Sequence, residues 1–383
     1  MNDRQEALFP FYRFSLHMNN RQHFIDTQFA FCTILPMLLC LLLTGCGISS
    51  AVSRAEEDTA AASEALAASA LAEGLEDLSE ETLAAAAAAI TPAANSHASL
   101  SVLTDYQKFG DIWFLVDCYH NQVLYSEDGQ APLADWLVLT ADTTYPHTIS
   151  SDGTIYLITD TDANRVLIFQ KSDGVFVHTQ TFENVGIRPH YSIYREEDDT
   201  FYVWSSMTGE MYLYQRDDTD NRMYLTEVRT ADSLSNNYIR SFCIEGDSIY
   251  FVSGMTTDGS TETASILQCR LRDFAVEAEF PVPDEIAGMA CMKKIEGNWY
   301  LTVSTDLYGS QDAATILRTD DLSNLGSGNW EDLYETYFAG GGTPYAITSV
   351  DDFWYLTEHR LTDHALWQFQ VQGGEISDVK AIY

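Results

Sequence analysis

The sequence predicts an all-β protein, a six-bladed β-propeller, and three observations carry that prediction. The run Ile112-Trp113-Phe114-Leu115-Val116-Asp117, followed by Gln122-Val123-Leu124-Tyr125, lies without a gap on Ile155-Tyr156-Leu157-Ile158-Thr159-Asp160 and Arg165-Val166-Leu167-Ile168, 43 residues later. A third copy, Phe201-Tyr202-Val203-Trp204 with Met211-Tyr212-Leu213-Tyr214, follows 46 residues on. An aromatic then recurs at Trp113, Tyr156, Tyr202, Tyr250, Tyr300 and Tyr355, at spacings of 43, 46, 48, 50 and 55 residues. Each aromatic follows a turn signal: Phe109-Gly110-Asp111, Ser151-Asp152-Gly153, Glu197-Asp198-Asp199, Glu245-Gly246-Asp247, Glu296-Gly297-Asn298 and Asp351-Asp352. Gly, Asn and Asp favour tight hairpins because they tolerate positive φ or bond their own backbone. Each unit therefore reads as strand, tight turn, aromatic strand, longer loop, apolar strand, turn and last strand, the signature of a propeller blade. A β-sandwich also repeats its strands at short intervals, but it does not produce a gapless 43-residue repeat.

The N-terminal hundred residues are of a different kind. No residue from Thr27 to Ser53 is charged, and Phe29 to Leu43 forms an apolar stretch ending in Leu43-Thr44-Gly45-Cys46. Such a stretch is too short for a comfortable membrane span and fits a secretory leader. The last four residues resemble a bacterial lipobox, which implies cleavage before Cys46 and lipidation of its thiol. The region before them is long and weakly basic, with Arg4, Arg13 and Arg21 against Asp3, Glu6 and Asp26, and translation from Met18 would give a more ordinary leader. The expected organisation is a leader over 1–46, a spacer over 47–99 and the propeller over 100–383. The spacer is dominated by Ala with Glu and Ser, a composition that cannot bury a core of its own but favours helix over Ala55–Leu71 and Leu75–Ile90.

Charge limits the partners. The chain carries 57 acidic against 20 basic residues, a formal net charge of −37. This excludes nucleic acid, which needs clustered Lys and Arg, and adhesion to anionic headgroups; membrane contact is expected only through the lipid anchor, at the extracytoplasmic face. Cys118, Cys243, Cys269 and Cys291 are scattered through the β region, too sparsely for a disulfide framework, and are expected as buried thiols. A monomer is expected.

The second unit, Tyr156 to Phe169 preceded by Ser151-Asp152-Gly153, resembles an NHL repeat: a Gly turn, an aromatic strand, an Asp, a short loop, Asn164-Arg165 and an apolar strand ending in Phe. The first unit keeps Asp117 and Asn121 but has Gln122 for the Arg, and the third has Ser206 and Met211 at the corresponding places. The resemblance implies the six-bladed propeller and a structural, loop-fixing role for Asp160 with Arg165. It implies no particular function, because such propellers host enzymes, receptors and scaffolds alike.

In a propeller the innermost strand of each blade lines the central channel, and ligands sit where loops enter those strands. The entries here are Pro146-His147-Thr148, Arg188-Pro189-His190-Tyr191, Tyr238-Ile239-Arg240, Ile286-Ala287-Gly288-Met289 and Gly342-Thr343-Pro344-Tyr345. His147, His190, Arg240 and Tyr345 are thus the candidate ligand-binding residues, converging polar groups from several blades; the alternative is that they only satisfy channel waters and backbone. No metal or other cofactor is expected. Asp160-x-Asp162-x-Asn164 copies half of a calcium loop but has Arg165 and Lys171 where that loop needs Gly and Glu. Two histidines fall short of a zinc set. Glu358-His359-Arg360 with His364 reads as a solvated loop after the last aromatic strand, and no catalytic motif of known spacing is present.

The expected function is non-catalytic binding of a small molecule, peptide, glycan or envelope protein at the channel mouth. Two alternatives stand beside it: a lyase or lactone hydrolase with a channel histidine as base, and a scaffold whose blade faces bind proteins. Asp105-Tyr106 and the terminal Val379-Lys380-Ala381-Ile382-Tyr383 are the candidates for a strand that closes the ring.

Overall fold

A computed structural model describes residues 73–230, 232–235, 237–256, 264–361 and 363–383. The leader, Cys46 and the helical window Ala55–Leu71 lie outside the described residues. Six antiparallel sheets follow one another along the chain. Blade 1 comprises Leu103–Phe109, Ile112–Asp117, Gln122–Ser126 and Leu137–Thr140; blade 2, Pro146–Ser151, Ile155–Asp160, Arg165–Ser172 and Val175–Phe182. Blade 3 comprises Pro189–Arg195, Thr200–Ser205, Glu210–Asp217 and Arg222–Thr230; blade 4, Asn237–Glu245, Ser248–Thr256, Ser265–Arg270 and Val276–Pro281. Blade 5 comprises Gly288–Ile295, Asn298–Thr305, Thr315–Thr319 and Glu331–Asp332; blade 6, Thr343–Val350, Phe353–His359, Leu366–Gln372 and Glu375–Ala381.

All six repeated aromatics fall in the second strand of their blade. The preceding turns take positive φ where the sequence placed turn residues, at Gly110, Gly153, Asp199, Gly246, Glu296, Gly297 and Asp351. The first strands contact one another in sequence and the sixth returns to the first, so the ring is closed.

Both faces of each blade are buried, and the strand period of two divides the side chains between neighbours. In the second strand of blade 2, Tyr156 and Ile158 join a cluster with Phe114, Val116 and Phe176 on the blade 1 side, whereas Ile155 and Leu157 pack with Phe201, Val203 and Tyr212 of blade 3. One apolar cluster fills each of the six interfaces. This is why the strands read as continuous apolar runs instead of alternating ones. The four cysteines of the β region are buried free thiols within this framework.

The ring closes without a shared strand. Asp105-Tyr106 belongs to the first strand of blade 1 and Val379–Ala381 to the fourth strand of blade 6, so neither crosses the seam, contrary to the expectation of a closing strand. Packing does the work: Leu103, Tyr106, Leu115 and Trp136 of blade 1 meet Val350, Tyr355 and Leu366 of blade 6. Trp136 Nε1 donates to Tyr383 Oη at 2.9 Å, and Tyr383 Oη donates to Ala131 O at 2.6 Å.

Part of the Ala-rich segment also rests on the blades. Glu73–Gly74 adds a fifth strand to blade 2, pairing with Gln180 and Thr181. A helix over Glu80–Ala88 follows, its start capped by Ser79 and its buried Leu83 and Ala87 packed with Leu78 and Val177. The next residues cover the outer edge of blade 1, where Val138 N donates to Ala93 O and Asn95 N to Trp136 O, both at 2.8 Å.

Candidate functional site at the channel mouth

In every blade the first strand starts, the second ends, the third starts and the fourth ends at the same end of the ring. The connections into first strands and the loops between second and third strands therefore share one face. Asn121 and Asn164, 43 residues apart, occupy equivalent left-handed positions in those loops, at φ 54° and 56°. Each reaches the entry of the following blade: Tyr145 N donates to Asn121 Oδ1 at 2.9 Å, and Arg188 N to Asn164 Oδ1 at 2.8 Å. Tyr145 and Arg188 are themselves left-handed, at φ 51° and 62°, and each stands two residues before a histidine. The repeat thus places His147 and His190 identically in blades 2 and 3.

All four predicted residues, from blades 2, 3, 4 and 6, line one cavity together with Asp105, Thr148, Tyr191 and Cys291. The space is narrow: a water's centre has about 20 Å³ to move in, room for one or two waters or a small chemical group. The rings of His147 and His190 lie 4.0 Å apart. His147 Nδ1 contacts Tyr145 O at 2.8 Å and Thr161 Oγ1 at 2.9 Å, and His190 Nδ1 contacts Arg240 O at 2.9 Å. A carbonyl oxygen only accepts, so in both rings Nδ1 carries the proton and Nε2 is the acceptor. His190 Nε2 takes the Tyr345 O–H at 3.3 Å, while His147 Nε2 has no hydrogen-bond partner among the described residues. Arg240 is held by Gly288 O at 3.3 Å and by Ser304 Oγ, through one terminal nitrogen.

Burial, with Arg188 and Arg240 close by, pushes His147 down to about 3 and His190 well below the usual imidazole range. Both rings are therefore neutral across the physiological range. Below them, the innermost strands are stitched by small polar groups, with Thr148 Oγ1 and Ser150 Oγ each 3.0 Å from Ser192 Oγ. Asp105 accepts from Ile149 N at 3.0 Å and Gln107 Nε2 at 2.9 Å, and burial raises it to about 6. Lys293 Nζ donates to Tyr191 Oη at 3.1 Å, a bridge between the non-neighbouring blades 3 and 5.

The reading of Glu358-His359 as a solvated loop is corrected. Both belong to the second strand of blade 6, paired with Pro344 and Thr343. Glu358 is 1% exposed, taking the Trp367 indole N–H at 2.6 Å and the Tyr334 hydroxyl. Gly342 is required opposite it, since a Cβ there would stand 1.6 Å from Glu358 Oε1. His359 Nε2 donates to Leu103 O at 3.0 Å across the seam, and its ring stacks on Tyr345 at 4.6 Å, so it buttresses the mouth. Arg360 is exposed, and His364 stacks on Trp367 at 4.9 Å. His359 was hidden by the loss of the repeat in this blade; Asn121 and Asn164 were legible as a pair one 43-residue repeat apart, but their reach into the mouth was not.

The half-copied calcium loop is spent on protein contacts. Asp160 Oδ2 accepts from Arg165 Nε at 2.6 Å and its Oδ1 from Thr144 N at 2.5 Å. Asp162 pairs with Arg188, and Asn164 holds Arg188 N. Asp160 and Arg165 thus fix the loop as a pair. Among the described residues no group of three or more His, Cys, Asp or Glu is placed to hold a metal ion.

No family model and no curated protein matches this chain. Solved structures do. A putative 6-phosphogluconolactonase from Bacteroides fragilis is 11% identical, with a TM-score of 0.50 over 71% of this chain and 80% of that one. A second putative 6-phosphogluconolactonase, from Bacteroides uniformis, is 10% identical over 70% and 80%, with a TM-score of 0.49. A catalytically inactive virginiamycin B lyase from Staphylococcus aureus, in complex with quinupristin, is 12% identical over 69% and 79%, with a TM-score of 0.46. At 11% identity and a TM-score of 0.50, the first of these likenesses speaks for the propeller fold alone.

Proposed function

We propose that this protein is a non-catalytic binding protein whose ligand, a small molecule or the end of a peptide or glycan, enters the channel mouth between His147, His190, Arg240 and Tyr345. The observation that carries the reading is the convergence of these side chains from four blades on one cavity, with His147 Nε2 unspent. A rigid, preformed concavity loses little entropy on binding. The apolar residues exposed on the same face add to it. Tyr119, Tyr145, Ile187 and Tyr308 all lie in loops at this end of the ring, whereas Tyr224 and Val276 stand singly on outer strands. That distribution favours the mouth over a scaffold that binds through blade edges.

The enzyme alternative would use a channel histidine as base. An effective base has a pKa near the working pH; His147, at about 3, is far too weak, and the group on this cavity that meets the criterion is Asp105, at about 6, whose carboxylate is engaged by Ile149 N and Gln107 Nε2. We further propose that the leader ends at Leu43-Thr44-Gly45-Cys46, that Cys46 carries a lipid, and that the propeller stands at the extracytoplasmic face of the membrane. The NHL likeness of blade 2 supports the architecture of this reading and not its ligand.

The test is a thermal-shift screen of the full chain against short peptides, oligosaccharides and small acids, repeated on His190→Ala and Tyr345→Phe, with each hit's mass followed over hours. Hits that stabilise the wild type, fail to stabilise the variants and stay chemically intact support binding at the mouth. Hits that stabilise both variants equally would move the site elsewhere, and consumption of a hit would make the protein an enzyme. Membrane release on Cys46→Ser, seen by fractionation, tests the anchor.

A further inference from the structure

We propose, building on that reading, that the mouth is a carboxylate site: the ligand presents a carboxylate to Arg240 and lays an apolar or aromatic body on Tyr119, Tyr145 and Ile187. With 57 acidic residues for 20 basic ones, an arginine in this chain has no shortage of partners. Arg165, Arg188, Arg195, Arg216, Arg229, Arg270, Arg272 and Arg318 each stand against at least one carboxylate; of the described arginines outside that set, Arg222 donates to Leu75 O and Arg360 is exposed, and neither lines the channel cavity. Arg240 lines the channel cavity and has no carboxylate partner among the described residues; only Gly288 O and Ser304 Oγ accept from it, both through Nη1. Its remaining N–H groups are available as a planar fork, the geometry that matches a carboxylate.

The surroundings agree with an anionic guest. Arg188 stands two residues before His190, and its field and that of Arg240 are among the causes that keep both histidines uncharged. Asp162 meets the Arg188 charge, and the Asp105 carboxylate on the cavity wall accepts from Ile149 N and Gln107 Nε2, so the Arg240 guanidinium is left facing the cavity without a carboxylate of its own. The narrow space suits a planar three-atom end group better than a tetrahedral phosphate. His147 Nε2, a bare acceptor on the same wall, would receive an N–H or O–H next to the carboxylate, as in an acylated amino acid or a hydroxy acid. The rim supplies the body's platform: Tyr119 and Tyr145 lie edge to face at 5.2 Å, and Ile187 directly precedes Arg188.

The experiment uses the full chain and three probes of one shape, benzoate, benzamide and phenyl phosphate. Affinity is measured by titration while the imidazole proton resonances of His147 and His190 are followed by NMR. Benzoate is expected to bind at least tenfold more tightly than benzamide or phenyl phosphate, to shift both histidine signals, and to lose that advantage in Arg240→Gln. Arg240→Gln must melt cooperatively; should it not, Arg240→Lys, which keeps the charge but not the fork, is expected to keep only part of the preference. Benzamide binding as tightly as benzoate, phenyl phosphate binding more tightly, or no binding of benzoate would each overturn the carboxylate assignment. If the histidine signals still move with any of the probes, the mouth survives as the site; binding that leaves them unmoved would overturn the mouth reading as well.

Discussion

At the residue scale the geometry of the mouth depends on side chains that do not line its cavity. Asn164 occupies a left-handed position, φ 56°, that Asn tolerates better than most residues, and its Oδ1 holds the Arg188 amide two residues before His190. Asn164→Ala loses both the tolerance and the acceptor, and is expected to cost roughly 1–2 kcal/mol of stability. It should also shift the His190 ring resonances, which a purely structural loss elsewhere would not do. Asn164→Asp keeps an acceptor at the same place and should restore the resonances. Glu358 makes a second residue-scale prediction. Burial raises its carboxyl to about 7 from an ordinary value of 4.5, so the folded state favours the protonated form. The stability this contributes is complete below about pH 4.5, and it is lost as pH rises through about 7, a difference of about 3 kcal/mol. Denaturant titrations at pH 5 and pH 8 should show a loss larger in the wild type than in Glu358→Gln by most of that amount, since Asp105, raised to about 6, and the histidines titrate alike in both. A parallel loss in the two proteins would mean that Glu358 is ionised at no such cost.

At the scale of elements, residues 73–95 before the propeller form a packed appendage. The helix Glu80–Ala88 presents Leu83 and Ala87 to Val177 on the fourth strand of blade 2, and Arg222 ties the same segment down by donating to Leu75 O at 2.6 Å. Leu83→Asp would bury a charge in that contact, at a cost of about 3 kcal/mol to docking. Limited proteolysis should then cut within residues 73–92 while the main thermal transition moves little; an equal fall of the whole melting curve would show the helix and propeller to be one cooperative unit. The contrast with the blades explains what was legible. The hairpin turns and aromatic strands of blades 1 to 6 are local, and Gly, Asp and Asn write their positive φ directly into the chain. The docking of an Ala-rich helix is not local: composition states its propensity, but the partner surface on Val177 is almost a hundred residues away. The same reason hid His359. Its strand in blade 6 extends to it because Glu358 meets Trp367 and Tyr334 from other elements, and no short-range pattern records that.

At the scale of the whole molecule, the question is how a ring stays closed when every blade is made of consecutive strands. The repeat located the mouth, since equivalent entries at a fixed period must converge on the axis, and His147 and His190 followed from it. It could not specify the seam, because closure between blades 6 and 1 involves residues at opposite ends of the repeat array and outside its periodicity. There the interface rests on side-chain packing and a few hydrogen bonds around Trp136, which is fully buried, and Tyr383. Tyr383 serves both sides: its backbone O accepts from Ala365 N at 2.6 Å in blade 6, and its hydroxyl reaches Trp136 and Ala131 in blade 1. Tyr383→Ala removes a partly buried ring and leaves the Trp136 indole with Ala131 O alone, an expected cost of about 2 kcal/mol. Because the seam has no strand to share the load, the loss should be local before it is global. Amide exchange should accelerate first along the third and fourth strands of blade 6 and the fourth strand of blade 1, with blades 3 and 4 unchanged. Exchange that accelerates evenly around all six blades would show instead that the ring opens as one body, and that the seam is no weaker than the five interfaces joined by continuous chain.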